Sequence, residues 1–228
     1  MLYDENSVRE NIRNREGKRV FYLGKADTLT PSARDWLARE RIAILPGEQA
    51  RPERYRLLGG GYLEEKPEHM THLNAEVLVP KTHPRIAFRG KLDSLEAELM
   101  LCKLRCPEEA KALEEILELA RRLIRCDVLQ EPVGDITLCG MTEAEQRKRS
   151  HFPQDYYGHP HFMPRSTDGE AILQLNRCRC MAREAELAAA AAFQTPEGSS
   201  ARLDIQQAMN RMSSMLYLLM IRQKAAKK

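Results

Sequence analysis

From Leu92 to the C-terminus, apolar residues recur at helical spacing, and this repeat leaves few folds open. Leu92, Leu95 and Leu99 fall on one stripe. Pro107-Glu108-Glu109 restarts a helix: proline occupies the first turn, where its missing N–H costs nothing, and the acids lie near the positive end of the helix dipole. Leu113, Ile116, Leu117, Ala120, Leu123 and Ile124 form the core face of that helix, and Arg121, Arg122 and Arg125 are expected to complement its C-terminal dipole. A short helix is expected near Thr142–Arg149, followed by an aromatic, His- and Pro-rich loop at 151–169. Asp168 is placed to cap a long helix over 169–193. The last helix, over 201–224, has Ile205, Ala208, Met209, Met212, Met215, Leu216, Leu219 and Met220 at core spacing. Long helices with short connections predict a mainly α, up-and-down bundle of about five helices over residues 81–228.

The first eighty residues read differently. VFYLG at 20–24 predicts a strand, Thr30-Pro31 a helix start, and RIAIL at 41–45 a second strand. This predicts a small β-α-β extension. Pro46 to Pro80 has little periodicity and reads as an irregular linker. Gly59–Gly61 lacks the Gly-Lys-Ser/Thr of a phosphate-binding loop.

Charge and composition exclude several classes. A formal net charge of +3 over 228 residues, with both signs interspersed, predicts no nucleic-acid partner. The one basic cluster, Arg222 to Lys228, reads as a solvated helix end rather than a binding arm. No run of eighteen apolar residues and no apolar segment after a basic N-terminus are present, so neither membrane span nor secretory signal is expected, and the protein is expected in the cytoplasm. Six cysteines without a CxxC spacing read as reduced, mostly buried thiols; Cys178 and Cys180 would point to nearly opposite sides of a helix.

Four constellations could carry chemistry. Arg179, Arg183 and Glu186 stand at i, i+4 and i+7, so they share a helix face among alanines and leucines. Either that face is solvated and internally paired, or it holds an anionic ligand. Asn210, Ser214 and Tyr217 form a polar stripe on the Met-rich last helix, which is either its solvent face or part of a site. Lys81, Arg85, Arg89 and Lys91 crowd upstream of Asp93, read as lying at a helix start: either a cap with surface cations or a polyphosphate site. His69 and His72, and His159 and His161, are paired histidines without an HExxH or ExxH pattern, so no metal is assigned.

Three of these segments, in this order, resemble the ATP:cob(I)alamin adenosyltransferases of the PduO/EutT superfamily. Lys81, Arg85, Gly90 and Asp93 match that family's first motif, Arg179, Arg183 and Glu186 its second, and Asn210 with Arg211 the Asn-Arg of its last helix. LTPSARDWL at 29–37 and THLNAEVLVPKTHPRIAFRGKLDS at 71–94 are similar to the ethanolamine-utilisation, EutT-type branch. The resemblance spans residues 20–224. The TRTGD.G phosphate loop of the PduO branch is missing, and no cysteine precedes Cys102, so the branch's His-plus-cysteine metal site is not carried over. Asp93-Ser94-Leu95 stands where the family has DEL.

The resemblance implies transfer of the 5′-deoxyadenosyl group of ATP to the Co(I) of a reduced cobalamin, with Mg²⁺ on the triphosphate and a reductase supplying Co(I). It implies ATP contacts from Lys81, Arg85, Arg183, Glu186 and Asn210, and an Asp93–Arg179 salt bridge between subunits of a homo-oligomer, a trimer on the PduO pattern. It implies no acid–base residue, because Co(I) is itself the nucleophile; Phe162 is the candidate for the corrinoid's lower face, with Phe152, Tyr156 and Tyr157 as alternatives. It further implies supply of adenosylcobalamin to ethanolamine ammonia-lyase, in the cytoplasm or at a bacterial microcompartment. Two other readings remain open at this point: a non-catalytic corrinoid-binding or scaffold bundle, and a metal-storing bundle using His69, His72 and the thiols.

Overall fold

The computed structural model describes residues 1–15, 17–47 and 55–226. The chain divides into two compact units, Met1–His83 and Pro84–Lys228.

In the first unit, β1 (Leu2–Tyr3) pairs in parallel with β4 (Thr28–Leu29). A seven-stranded mixed sheet is built from β2 (Arg13–Arg15), β3 (Lys18–Leu23), β5 (Ala43–Pro46), β6 (Tyr55–Leu57), β7 (Tyr62–Leu63), β8 (Met70–His72) and β9 (Val77–Pro80), in the order β5-β3-β2-β7-β6-β9-β8. Helices α1 (Glu5–Glu10) and α2 (Pro31–Arg39) complete the unit. The expected β-α-β unit is present: β3 and β5 are parallel, with Val20 opposite Ala43, and α2 connects them. Thr30 caps α2 by accepting from the Ala33 N–H at 3.3 Å, with Pro31 at the first helical position. Val8, Phe21, Ala33, Trp36, Leu37 and Ile42 form the core of this layer.

The stretch after Pro46 departs from the expected linker. Residues 48–54 lie outside the described residues, but from Tyr55 on the chain adds β6 to β9 to the sheet. Each of these strands has two to four residues, too few to display a two-residue alternation in the sequence. Gly60 and Gly61, at φ 92° and 85°, make the left-handed turn that joins β6 to β7.

The second unit is the helical bundle: α3 (Pro84–Arg105), α4 (Ala110–Leu129), α5 (Glu143–His151), α6 (Pro153–Tyr157), α7 (Glu170–Phe193) and α8 (Leu203–Ala225). Four of these are long; α3 packs on α4 and α7, α7 on α8, and the short α5 on α8. The stripes read from the sequence are the ones buried: Leu92, Leu95 and Leu99 of α3, Leu113, Ile116 and Leu123 of α4, and Met209, Met212, Met215 and Met220 of α8 are sealed from solvent. Each such side chain contributes roughly 1.5–3 kcal/mol of burial. The cysteines are free thiols, with Cys178 buried and Cys180 exposed on opposite sides of α7.

Several local expectations are corrected. α3 begins at Pro84, so Asp93 lies in its interior rather than at a helix start. Asp168 does not cap α7; it closes a 3-10 turn (Ser166–Asp168), accepts from the Arg165 N–H at 2.7 Å and pairs with Lys224, while Gly169 (φ 96°) opens α7. Arg121, Arg122 and Arg125 lie upstream of α4's last turn, which carries no basic residue; Arg121 instead ties α4 to Glu96 of α3 at 3.2 Å. Arg222 and Lys224 are bound to Glu109 and Asp168 rather than simply solvated.

Candidate active site

Helices α7 and α8 run antiparallel, and their shared seam gathers the second and third motifs. Glu186 stands opposite Asn210, whose Nδ2 donates to Glu186 Oε1 at 3.3 Å. Arg211 Nη2 donates in turn to Asn210 Oδ1 at 2.6 Å. The amide of Asn210 is therefore oriented from both ends. Arg183, one turn before Glu186, is exposed. These four residues line a cleft of ≈ 580 Å³ whose far wall is α5, through Glu143 and Arg147. Leu187, Ala190 and Leu203 give one end of the cleft an apolar surface.

Local chemistry explains why α5 stands there. Thr142 and Glu145 form a reciprocal capping box that starts the helix. The buried Gln146 donates to Met141 O at 2.9 Å, anchoring α5 to the preceding turn. Glu143 accepts from Gln207 of α8 at 2.5 Å. The cleft so formed holds three arginines (147, 183, 211) and two glutamates (143, 186), an excess of one positive charge.

Arg211 is the unusual member. It is 7% exposed, and its Nε and Nη1 lie buried without a hydrogen-bond partner among the described residues. Burial pushes its guanidinium below the ordinary arginine value; Glu143 and Glu186 push back, and Arg147 adds to the repulsion.

Further along the seam, Arg179 lies 5.4 Å above the Tyr217 ring. The Tyr217 hydroxyl accepts from the Phe162 N–H at 3.2 Å and meets His161 Nδ1 at 3.1 Å. Phe162 stacks on Tyr217 at 6.3 Å and meets His159 edge-on at 5.4 Å, and the Lys224 ammonium lies 5.8 Å from its ring. The aromatic loop is thereby fixed to α8 two turns beyond Asn210, a rise of about 10 Å.

The first motif is distributed otherwise. Arg85 Nε and Arg89 Nε donate to the two oxygens of Asp127, at 2.7 and 2.6 Å, and Arg85 Nη2 also reaches the Asp127 carbonyl. Asp127 is fully buried, so these arginines neutralise a carboxylate inside the bundle. Lys81 belongs to the N-terminal unit, where it pairs with Glu68 at 2.8 Å. Lys91 pairs with Glu184 on α7. Asp93 is exposed and makes no ion pair with Arg179 within the chain.

His69 and His72 are exposed, the latter against Tyr55 at 5.7 Å. No group of three or more His, Cys, Asp or Glu residues among the described residues is arranged to hold a metal ion. Arg147 and Asp127 carried no signal in the sequence: Arg147 sits in a charged RKR run indistinguishable from a solvated surface. Arg211 was visible as the arginine of the last-helix motif, but nothing in the sequence marked it as buried.

Comparison with known proteins bears on this arrangement. Residues 61–223 match the family model described as cobalamin adenosyltransferase. The corrinoid adenosyltransferase EutT of Escherichia coli (strain K12) is 31% identical over 94% of this chain and 89% of its own length. That of Salmonella typhimurium (strain LT2) is 31% identical over 95% of this chain and 90% of its own. A match over most of the chain, including all of the α7–α8 seam, shows that the protein belongs to the cobalamin adenosyltransferase family.

Proposed function

We propose that the protein transfers the 5′-deoxyadenosyl group of ATP to the Co(I) centre of a reduced corrinoid, as an EutT-type enzyme. The observation that carries the site is the convergence of Arg183, Glu186 and Asn210 on one cleft in a chain of this family. The cobalt lone pair attacks C5′; the C5′–O bond breaks and its electrons leave with triphosphate, so cobalt is oxidised to the alkylated Co(III) state. No protein base is required. The protein's part is positioning and stabilisation of the charge that builds on the leaving triphosphate.

Arg183, exposed at the mouth of the cleft, takes a phosphate oxygen. Glu186 and Asn210, already hydrogen-bonded to each other, orient ribose and adenine, with the base against Leu187, Ala190 and Leu203. The corrinoid lies beyond, toward the aromatic loop. Phe162, fixed through Tyr217, is the residue for its lower face, where displacing the axial ligand eases reduction of Co(II) by a partner reductase. Mg²⁺ fits the donor set: two carboxylates line the cleft, too few for an all-protein cage and suited to an ion that arrives on phosphate oxygens. Arg85 is already bound to Asp127 and is left out of the ATP contacts. Asp93, exposed and unpaired by Arg179 within its own chain, is available to the arginine of a second copy; the assembly expected is a homotrimer. No helix among the described residues is long and apolar enough to cross a membrane. Its product supplies ethanolamine ammonia-lyase, in the cytoplasm or at a microcompartment.

The test is incubation with ATP, Mg²⁺ and chemically reduced cobalamin under anaerobic conditions. A light-sensitive alkylcobalamin spectrum with release of triphosphate is expected. Absence of product from folded protein overturns the reading.

A further inference from the structure

The three motif segments do not account for the α5 side of the cleft. That side carries Arg147, exposed and without an ion pair among the described residues; Arg211 of α8, the arginine of the third motif, lines the same cleft, buried with two N–H groups lacking an acceptor. A buried guanidinium normally has its donors matched, because an unmatched ionic donor loses its hydration without replacement. Neither nearby carboxylate supplies the match: Glu143 is bonded to Gln207 and Glu186 to Asn210. Arg211's one bond goes to the neutral Asn210 amide. Charge is left over on this wall, facing a cleft large enough for a nucleotide.

We infer that Arg147 and Arg211 form a polyphosphate subsite on the α5–α8 wall of the cleft. Arg147 contacts a phosphate oxygen directly from the rim. Arg211 is a positioning residue: it sets the Asn210 amide through its Nη2 and places a poorly hydrated positive charge below the phosphates, where attraction is screened less than at the surface. The inference rests on the cleft being the nucleotide site. It adds that the triphosphate is held from the side of α5, a helix outside all three motifs, and not only from α7.

Binding of ATP, inorganic tripolyphosphate and adenosine to the full chain, by calorimetry, tests it. Arg147→Ala is expected to weaken ATP and tripolyphosphate about 10-fold, roughly the loss of one charge-assisted contact, while adenosine binds as before. Arg211→Met is expected to weaken ATP at least as much, with Arg211→Lys recovering part of the loss for tripolyphosphate but not the orientation of adenosine. Because Arg147 is exposed, its alanine variant tests the subsite even if Arg211→Met fails to fold. Arg183→Ala separates the two readings. If Arg183→Ala loses ATP while Arg147→Ala binds ATP and tripolyphosphate normally, the subsite is refuted and the cleft stands. If ATP affinity survives Arg183→Ala as well, the nucleotide lies elsewhere and both fall. Equal losses for ATP and adenosine in Arg147→Ala also refute the subsite, since they mark a structural effect rather than a phosphate contact.

Discussion

Asp127 allows a sharp test of what holds the bundle's first helix. Its carboxylate is fully buried and receives Arg85 at 2.7 Å and Arg89 at 2.6 Å, both side chains being mostly buried themselves. In Asp127→Asn the shape is kept and the charge is lost. The two guanidiniums then lose the carboxylate that offsets their mutual repulsion inside the bundle. The loss of two charge-assisted bonds adds to this, and the 16% and 13% exposure of the arginine side chains lets water relieve part of it. A net destabilisation of about 3–5 kcal/mol follows, the range for breaking one partner out of a buried pair. For a bundle of this size that is a fall in Tm of about 6–20 °C. Urea and thermal unfolding followed by circular dichroism at 222 nm measure it. Replacing both arginines by methionine in the Asp127→Asn background should recover most of the loss, because the hydrocarbon stems remain and the unpaired charges are gone. A loss below about 1 kcal/mol in Asp127→Asn, or no recovery in the triple variant, would refute the view that Arg85 and Arg89 are there to neutralise Asp127.

Arg85→Met alone is expected to leave ATP affinity within about two-fold of the parent, since Arg85 is bound to Asp127; a ten-fold loss on calorimetric titration would return it to the ATP contacts. Tyr217→Phe removes the hydroxyl that receives the Phe162 N–H and meets His161, so a stability loss of about 1–2 kcal/mol is expected, with KM raised for corrinoid and unchanged for ATP in steady-state assays. Gly90 is exposed inside α3 and a Cβ there meets nothing, so Gly90→Ala should stabilise the chain by about 1 kcal/mol in urea unfolding; destabilisation would show that something packs against this spot in the assembly. Lys224, and then the Arg165 N–H, hold the Asp168 carboxyl below its ordinary value near 3.8. Its contribution is therefore complete above that pH and is lost as pH falls through the lower folded-state value, so Asp168→Asn should lower the urea midpoint at pH 7 and show a flatter dependence as the solution is acidified.

The helices of the bundle were legible because each carries its own evidence. The Leu and Met stripes of α3, α4 and α8 repeat over several turns, and the periodicity names the buried face without reference to any neighbour. The β-α-β unit was legible for a related reason: Thr30-Pro31 states a helix start in two adjacent residues. Strands β6 to β9 were not, since a strand of two to four residues is defined by its partners in the sheet and not by a pattern within itself. The same division runs through the site. Arg183 and Glu186 share a helix face at a spacing the sequence displays, but whether Asn210 meets them depends on the register of α7 against α8, which no local pattern encodes. Arg85 shows the converse failure. Its place beside Lys81 and Arg89 made a basic cluster in the sequence, yet the cluster is split by Asp127, forty-two residues away, which takes two of its members.

Buried charge at the α7–α8 seam sits on α8 rather than on the charged face of α7. Charge on an apolar helix is costly where it is buried, and Arg179, Arg183 and Glu186 share one face of α7 among alanines and leucines. In the folded bundle Arg183 is exposed, Arg179 lies on the Tyr217 ring and Glu186 is bonded to Asn210, so none of the three is stranded. The stranded charge is Arg211, on the neighbouring helix, whose other buried residues are alanine, methionine, leucine and isoleucine. A methionine at 211 would pack among them with no charge to desolvate, and replacement of buried ions by apolar residues of similar volume is often neutral or stabilising. Folding alone therefore gives no reason for an arginine there. The anionic ligand inferred above does, because it supplies the acceptors that the buried Nε and Nη1 lack among the described residues.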